Sequence, residues 1–320
     1  MLQILAITTP IYLIIAAGYL SVRFGLFNKP DMRVLGRFVV NFCLPALIFN
    51  ALSKRPLGEV LNGPYLLAYA AGSLTIVLIG MLVGLRLRRQ SMPLATMQSL
   101  GMAASNSGFV GYPIVLQLLG PTAGVALALT MLVENLLVLP LCFAMADNEG
   151  QDAAQRWHHT LLNSLRNLLR NPLVLAILAG FCFSLLGLQL PAVLAQTVQI
   201  VATASSPVAL FVIGGSLVGL KLAGVRRDLA WVACGKLLLH PLAVFSMLWL
   251  LPAGLVVAPE LRIAAVLFAA MPMLSIYPVV AQKYGLEGFT AAALLVATVS
   301  SFFTISSLLW AMHHLLGWVA

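Results

Sequence analysis

The hydrophobic positions of this chain fall into long, nearly uninterrupted runs that are separated by short polar connections. A run of roughly 20 apolar residues is long enough to cross the hydrocarbon core of a bilayer as an α-helix. Such runs lie at residues 3–22, 34–53, 64–85, 97–118, 122–146, 172–190, 196–220, 229–251, 261–282 and 290–316. The pattern predicts an all-α membrane protein with ten transmembrane helices.

The composition agrees with this pattern and excludes a soluble globular protein. Apolar residues make up 61% of the 320 residues and charged residues only 8%, whereas a soluble domain has about 25% charged residues. The sequence contains no phosphate-binding loop, no zinc-protease motif and no arrangement typical of a catalytic triad. We therefore expect neither an enzyme nor a cofactor or metal site. The four cysteines, which show no paired spacing, are predicted to be core residues.

The basic residues predict how the chain is oriented in the membrane. A net charge of +9 would suggest nucleic-acid binding in a soluble protein, but here the charges lie mostly in the connections between apolar runs. Cytoplasmic loops carry the excess of Lys and Arg in membrane proteins. With the N-terminus outside, only Lys54, Arg55 and Arg262 fall in outside connections. Both termini are therefore predicted to lie outside, and no nucleic-acid partner is expected.

The longest connection, residues 147–171, divides the chain into two halves of five apolar runs each, 1–146 and 172–320. It begins with acidic residues and continues with Trp157 and Leu161 at helical spacing. This spacing is typical of an amphipathic helix at the membrane interface. The segment is interpreted either as a regulatory element or as a simple cytoplasmic linker.

The two halves resemble each other at two places. Residues 112–120 and 277–285 share Tyr, Pro, Val, Gln and Gly in register, and residues 45–49 match 207–211 in the same way. An odd number of spans in each half turns the second copy upside down relative to the first, as in many secondary transporters. The sequence therefore predicts two inverted five-helix repeats.

The matching fourth and ninth runs are both interrupted, at residues 104–113 by polar residues, two glycines and a proline, and at residues 271–278 by two prolines and a serine. Paired interruptions in corresponding repeat positions are typical of a substrate site near the middle of the membrane. The alternative is that Gly and Pro merely kink closely packed helices. The candidate substrate-binding residues in the two segments are Ser105, Asn106, Ser107, Gly111, Pro113, Pro272 and Ser275.

Three ionisable side chains, Glu134, Lys236 and His240, lie well inside apolar runs, where an unpaired charge is unfavourable and function is the first hypothesis. Glu134 is a candidate for ion coupling or a protonated contact between helices. Lys236 is a candidate countercharge for an anion, or its ammonium extends to the membrane surface. His240 is a candidate proton relay or a neutral core residue. Lys236 and Glu134 either pair with each other or act separately, on substrate and proton.

Asparagine side chains flank Pro45 in the second run. Asn41 and Asn50 either line the cavity or bond a neighbouring helix. Asn41 is included among the candidate substrate-binding residues.

Four segments resemble the auxin efflux carrier family, and in particular bacterial members often labelled malonate transporters: residues 38–49, 105–113, 236–241 and 269–272. The resemblance covers the whole chain. It implies a ten-helix fold of two inverted repeats in which the fourth and ninth helices cross at the substrate site, with elevator-like alternating access. Plant members have a long central loop, which is reduced here, and an Asn-Thr pair where this chain has Asn106-Ser107. Asn106 therefore matches the asparagine of that pair, whereas Ser107 is only similar to its threonine.

These observations predict a secondary transporter of a small organic anion in the bacterial inner membrane. The expected substrate is a carboxylate such as malonate or an auxin-like monocarboxylate. A coupling proton or sodium ion and a homodimer are further expected partners. A membrane sensor or scaffold that retains a transporter fold, and a channel, are the alternatives.

Overall fold

The structure is a computed structural model that describes residues 2–56, 58, 61–147, 170–219 and 226–314. All regular structure in these residues is helical. The helices are α1 (Leu2–Arg23), α2 (Lys29–Ser53), α3 (Gly63–Leu87), α4 (Met92–Ala103), α5 (Tyr112–Leu119), α6 (Thr122–Ala146), α7 (Pro172–Leu186), α8 (Ala192–Ser216), α9 (Arg226–Trp249), α10 (Pro259–Ala270), α11 (Tyr277–Ala281) and α12 (Glu287–His314). Six of those described, α2, α3, α6, α8, α9 and α12, are long and apolar enough to cross a membrane unaided.

Helix capping determines where α2 and α3 begin. α2 begins at Lys29 rather than near residue 34, because Asp31 Oδ2 accepts a hydrogen bond of 2.7 Å from the backbone N–H of Asn28. Asn62 caps α3 by accepting from the backbone N–H of Tyr65 at 2.8 Å. Each of these helices has a proline in its first turn, where the missing N–H is not needed.

Four helical segments contain a wider π-helical turn directly before a proline. The turns are Val39–Cys43, Ser107–Gly111, Glu134–Val138 and Gly235–Leu239. A proline ring lacks an N–H and clashes with the carbonyl four residues earlier. The chain adapts with a bond to the carbonyl five residues back, from the residue before each proline. Such turns are frequent at functional sites, and here they contain Asn41, Ser107, Glu134 and Lys236.

The helices pack in two groups. In the first group α1 lies along α8, α2 lies along α7, and α2 and α8 contact each other. In the second group α3 packs on α4, α9 packs on α10, and α3 and α9 contact each other, while α6 and α12 close the group. α1 and α8 approach closely at glycines, because a side chain on Gly214 would overlap the backbone carbonyl of Ile15.

Nearly all of the predicted interfacial helix in 147–171 lies outside the described residues. Cys43 and Cys142 are buried as predicted, but the prediction is wrong for Cys182 and Cys234, which are exposed. A membrane helix is apolar on all sides, so hydropathy does not reveal which of its faces is buried.

Candidate functional site

The chain is not helical between α4 and the turn that begins at Ser107, or between α10 and α11, and these two segments meet. The backbone N–H of Asn106 donates to the carbonyl of Pro272 at 2.8 Å, and Asn106 Nδ2 donates to Ser275 Oγ at 2.6 Å. α10 ends before Pro272 because proline disfavours the helical conformation of the preceding residue, and Met271 has an extended backbone. The two segments thereby satisfy part of each other's exposed backbone.

The carboxylate of Glu134 lies at the helical turn that follows the first of these segments. Its Oε1 accepts a hydrogen bond of 2.9 Å from the backbone N–H of Ser105, and both carboxylate oxygens lie within 3.2 Å of Ser107 Oγ. Tyr69 Oη donates to the same Oε1 at 3.3 Å. Glu134 is only 2% exposed, so this carboxylate is held by protein donors rather than by water.

The ammonium of Lys236 is completely buried and points into the protein. Its Nζ donates to Ser105 Oγ at 2.6 Å, to His240 Nδ1 at 2.8 Å and to the backbone carbonyl of Ala269 at 3.1 Å. This geometry excludes the interpretation that Lys236 extends to the membrane surface. In the described chain, Lys236 and Glu134 form no direct ion pair, and Ser105 bridges them with its hydroxyl and its N–H.

His240 continues the network from Lys236 to α3. An ammonium that donates to Nδ1 leaves the ring proton on Nε2, which then donates to Ser73 Oγ at 3.0 Å. His240 and Ser73 are both fully buried. A continuous buried chain of polar groups therefore runs from Ser73 through His240 and Lys236 to Ser105 and Glu134.

The two buried charges match the dipoles of the helix ends that they contact. Glu134 lies at the start of the helical turn at Ser107, where free N–H groups give a partial positive charge. Lys236 contacts Ala269 near the end of α10, where free carbonyls give a partial negative charge. The protein's own carboxylate therefore occupies the N-terminal end of this helical turn.

The remaining candidate residues are placed differently. Gly111 packs so closely against Phe268 of α10 that a Cβ on Gly111 would lie 2.7 Å from Phe268 Cδ1. Pro113 is buried nearby, in the first turn of α5. Asn41 lies on an exposed face of α2, where its Nδ2 donates to the carbonyl of Arg37 at 2.8 Å. The structure therefore brings together Ser105, Asn106, Ser107, Pro272, Ser275, Glu134, Lys236 and His240, and it does not bring Asn41 to them.

The sequence analysis did not identify Tyr69 and Ser73 of the network, or Tyr65 on the same helix face. Tyr65, Tyr69 and Ser73 lie four residues apart on one face of α3, and all three are fully buried. This polar stripe inside an otherwise apolar run was the signal that could have identified them. Among the described residues no group of His, Cys, Asp and Glu is suited to hold a metal ion.

Gly101 leaves room on α4 for the side chain of Tyr277 of α11. Tyr277 Oη donates to the carbonyl of Met97 at 2.6 Å, and a Cβ on Gly101 would lie 2.7 Å from Tyr277 Cζ. We expect Gly101→Ala to displace this ring and lower the stability by about 1–3 kcal/mol. Thermal unfolding in detergent measures the change. Gly36→Ala is the control because its Cβ would meet only Val212 Cγ1 at 3.6 Å, and equal melting temperatures for the two variants would contradict the prediction.

Known proteins resemble this chain over its whole length. The sequence profile of the family described as "Membrane transport protein" matches residues 4–311. A Rhizobium meliloti protein named "Putative malonate transporter" is 30% identical over 314 residues, which cover 97% of this chain and 96% of that protein. The "Uncharacterized transporter YfdV" of Escherichia coli K12 is 24% identical over 313 residues and 94% of each chain.

A mammalian relative matches only in part of its own length. The mouse "Lysosomal cholesterol signaling protein" is 24% identical over 293 residues, which cover 86% of this chain and 33% of that protein. The profile match extends over more than half of the chain, the bacterial relatives align with it almost from end to end, and both names are those of transporters. The chain is therefore a membrane transport protein, not an enzyme, and it belongs to the auxin efflux carrier family.

Proposed function

We propose that this protein is a secondary transporter that carries a small organic anion across the bacterial inner membrane by elevator-type alternating access, with both termini outside. The observation that carries this proposal is the contact of the two non-helical segments at Asn106, Pro272 and Ser275. Non-helical backbone at membrane depth is tolerated where it is buried in protein or lines a cavity. Paired segments of this kind are a common way to build a substrate site.

The packing of the helices supports two inverted repeats, α1–α6 and α7–α12, in which α4–α5 and α10–α11 are the two interrupted spans. Let α1 be equivalent to α7, α2 to α8, and so on through α6 and α12. Most contacts between two helices then have an observed counterpart between the two equivalent helices. The contact between α1 and α8 corresponds to the observed contact between α7 and α2. The contact between α3 and α4 likewise corresponds to the observed contact between α9 and α10. The pairs α2 with α8 and α3 with α9 each correspond to themselves, as expected of contacts that lie on a two-fold axis.

The same contacts support an elevator-type mechanism, in which one group of helices moves against a stationary group. α1, α2, α7 and α8 form the group proposed as the scaffold, and the other helices form the group proposed to move. The candidate site belongs to the second group, and the turn Ser107–Gly111 contacts α8 of the first. Motion of the second group along α8 would carry the site from one side of the membrane to the other.

Asn106 is proposed as the central substrate-binding residue. Its Nδ2 is bonded to Ser275, whereas Oδ1 accepts no hydrogen bond from the described residues. Ser105, Ser107, Gly111, Pro113, Pro272 and Ser275 shape the segments around it. Lys236 supplies positive potential through its contact with Ser105, the neighbour of Asn106, and in the described conformation its three hydrogen bonds go to protein groups.

Glu134 and His240 are proposed as the coupling residues. Both are buried and both connect to Lys236, one through Ser105 and one directly. A proton taken up by Glu134 would remove the negative charge opposite Lys236 and change the potential at Asn106. Buried carboxylates of this kind commonly serve as proton relays in membrane transporters. Asn41, on the exposed face of α2, is better suited to a contact between two copies in a homodimer than to substrate binding.

Counterflow in proteoliposomes tests the proposed function. Liposomes that contain the protein and are loaded with unlabelled malonate should take up radiolabelled malonate from outside, and the uptake should saturate. Malonate is the first probe because the Rhizobium meliloti relative is named for it; acetate and succinate test chain length and charge, and protein-free liposomes are the control. Unsaturable uptake that internal malonate does not stimulate would favour a channel. Binding of carboxylates without flux would favour a sensor.

A further inference from the structure

A cavity of ≈ 380 Å³ with a mixed polar and apolar lining lies between the two helix groups, where the C-terminal end of α2 approaches α5, α6 and α8. Typical small-molecule sites have volumes of roughly 300–1,000 Å³. The polar side chains that line the cavity are those of Asn50, Lys54, Arg55, Tyr112, Gln199, Thr203 and Ser206. No carboxylate is among the described residues that line it.

Among the described residues, the two adjacent cations at this cavity, Lys54 and Arg55, have no counter-charge. The ion pairs of the described chain are Arg88 with Asp228 and Lys283 with Asp147, so neither Lys54 nor Arg55 is paired there. Arg55 is instead held through its backbone, because its carbonyl accepts a hydrogen bond of 2.6 Å from Ser184 Oγ of α7. This contact anchors the backbone at Arg55 and involves neither charged side chain.

A second cavity of ≈ 500 Å³, with a largely apolar lining, lies on the other side of the same residues, between α2, α7 and α8. Asn50, Lys54 and Arg55 line both cavities and thus form the wall between them. Asn50 Nδ2 donates to Gln199 Oε1 of α8 at 2.8 Å, which fixes this wall across the two helices. The positive potential of both cations therefore acts on both cavities.

We propose that the first cavity is an anion-capture site, separate from the Asn106 segment, that takes small dicarboxylates in preference to monocarboxylates. Two neighbouring cations attract a dianion more strongly than a monoanion, and cation–carboxylate hydrogen bonds are stronger than neutral ones. The inference rests on the proposed transport of organic anions for its role in the transport cycle. Binding itself does not require transport and is tested separately.

The cavity leads toward the proposed substrate site along α5. Tyr112 and Leu116 of this helix line it, and the turn Ser107–Gly111, next to Asn106, directly precedes Tyr112. In the predicted orientation Lys54 and Arg55 lie outside. An anion captured there would be close to the interface along which the second helix group is proposed to move.

Protection of a cysteine from labelling tests this inference. In a chain in which Cys182 and Cys234 are replaced by serine, Ser206→Cys places a thiol on the cavity wall. We expect malonate to slow the reaction of this thiol with N-ethylmaleimide in detergent, and acetate to do so only at higher concentration. With Lys54→Gln and Arg55→Gln added, the malonate concentration that halves the labelling rate should rise by about fivefold or more.

A double variant at the opposite end of the same helix is the matched control. Arg33→Gln with Arg37→Gln removes the same charge from exposed positions of α2 and should leave malonate protection unchanged. Protection that survives Lys54→Gln with Arg55→Gln would overturn the inference, and equal potency of acetate and malonate would overturn the dicarboxylate preference. Slow labelling in phosphatidylglycerol vesicles without malonate, but not in neutral vesicles, would assign the cations to a lipid headgroup instead.

The two proposals fail in different ways. Malonate protection in a protein that shows no counterflow would leave the capture site intact and remove the proposed transport function. Saturable counterflow with no malonate protection at Ser206→Cys would do the reverse.

Discussion

Lys236→Met is expected to lower the stability of the folded protein by about 3–5 kcal/mol, because it breaks a buried charged network from one side. Methionine fills a similar volume but leaves Ser105 Oγ, His240 Nδ1 and the Ala269 carbonyl without their donor. The negative charge of Glu134 then loses the cation with which it shares Ser105. Thermal unfolding in detergent and the yield of monodisperse protein measure the loss, and carboxylate counterflow should disappear.

Glu134→Gln in the same chain should restore part of this stability, since it removes the carboxylate that has no counter-charge. A double-mutant cycle measures the coupling of the two residues, which should be far from additive because both contact Ser105. Lys283→Met is the control, because Lys283 is exposed and its pair with Asp147 should contribute about 0–1 kcal/mol. Wild-type stability and transport in the Lys236→Met protein would show that the network has neither role.

Transport by the Glu134→Gln protein separates the two arrangements that the sequence left open. If Glu134 takes up the coupling proton, its amide replacement should transport with a flattened pH dependence. If Glu134 only balances Lys236, the pH profile should keep its shape while the rate or the stability falls. The bridge through Ser105 makes the two residues interdependent, so we expect both the profile and the stability to change.

Asn106→Ala is expected to weaken the apparent affinity for the transported anion by roughly 5–150-fold, which corresponds to the loss of about 1–3 kcal/mol when a buried partner loses its hydrogen bond. The protein should remain folded, because the backbone hydrogen bond from Asn106 to Pro272 does not need the side chain. Saturation of counterflow gives the apparent affinity, and thermal unfolding verifies the fold.

Ser275→Ala distinguishes substrate binding from a purely structural role of Asn106. It removes the same hydrogen bond between the two segments from the other side and leaves Asn106 Oδ1 in place. A larger affinity loss for Asn106→Ala than for Ser275→Ala would support direct binding, whereas equal losses would assign Asn106 to holding the segments together. Asn135→Ala is the matched control, because Asn135 Nδ2 bonds only the carbonyl of Met131 in its own helix.

Hydropathy and motif resemblance predicted the class of this protein because both are properties of consecutive residues. An apolar run long enough to span a bilayer favours a helix, since backbone that faces lipid must be satisfied internally. The same local logic identified the interruptions near Asn106 and Pro272, where glycine, proline and polar residues interrupt a helical pattern. The charges of Glu134 and Lys236 were conspicuous for the equally local reason that apolar runs rarely contain them.

The faces of the helices could not be predicted in this way. Asn41 and Lys236 both lie in π-helical turns a few residues before a proline, yet Asn41 is exposed and Lys236 is completely buried. A helix that is apolar all round carries no sequence signal for the face that meets its neighbours. Tyr69 and Ser73 do form a polar stripe that is visible in the sequence, but their partners lie on α6 and α9, which are distant in sequence.

The sequence by itself determined that the chain is an all-helical membrane protein of a transport family and where its helices are interrupted, because length, hydropathy and turn chemistry act over neighbouring residues. Only the tertiary structure decided that Ser105 joins Glu134 to Lys236, that the carboxylate occupies the helix N-terminus beside it, and that Asn106 bonds Ser275. These contacts join residues between 29 and 169 positions apart. Their geometry depends on how α4, α6, α9 and α10 rotate and pack against one another, and helix packing is a property of pairs of surfaces rather than of one sequence segment.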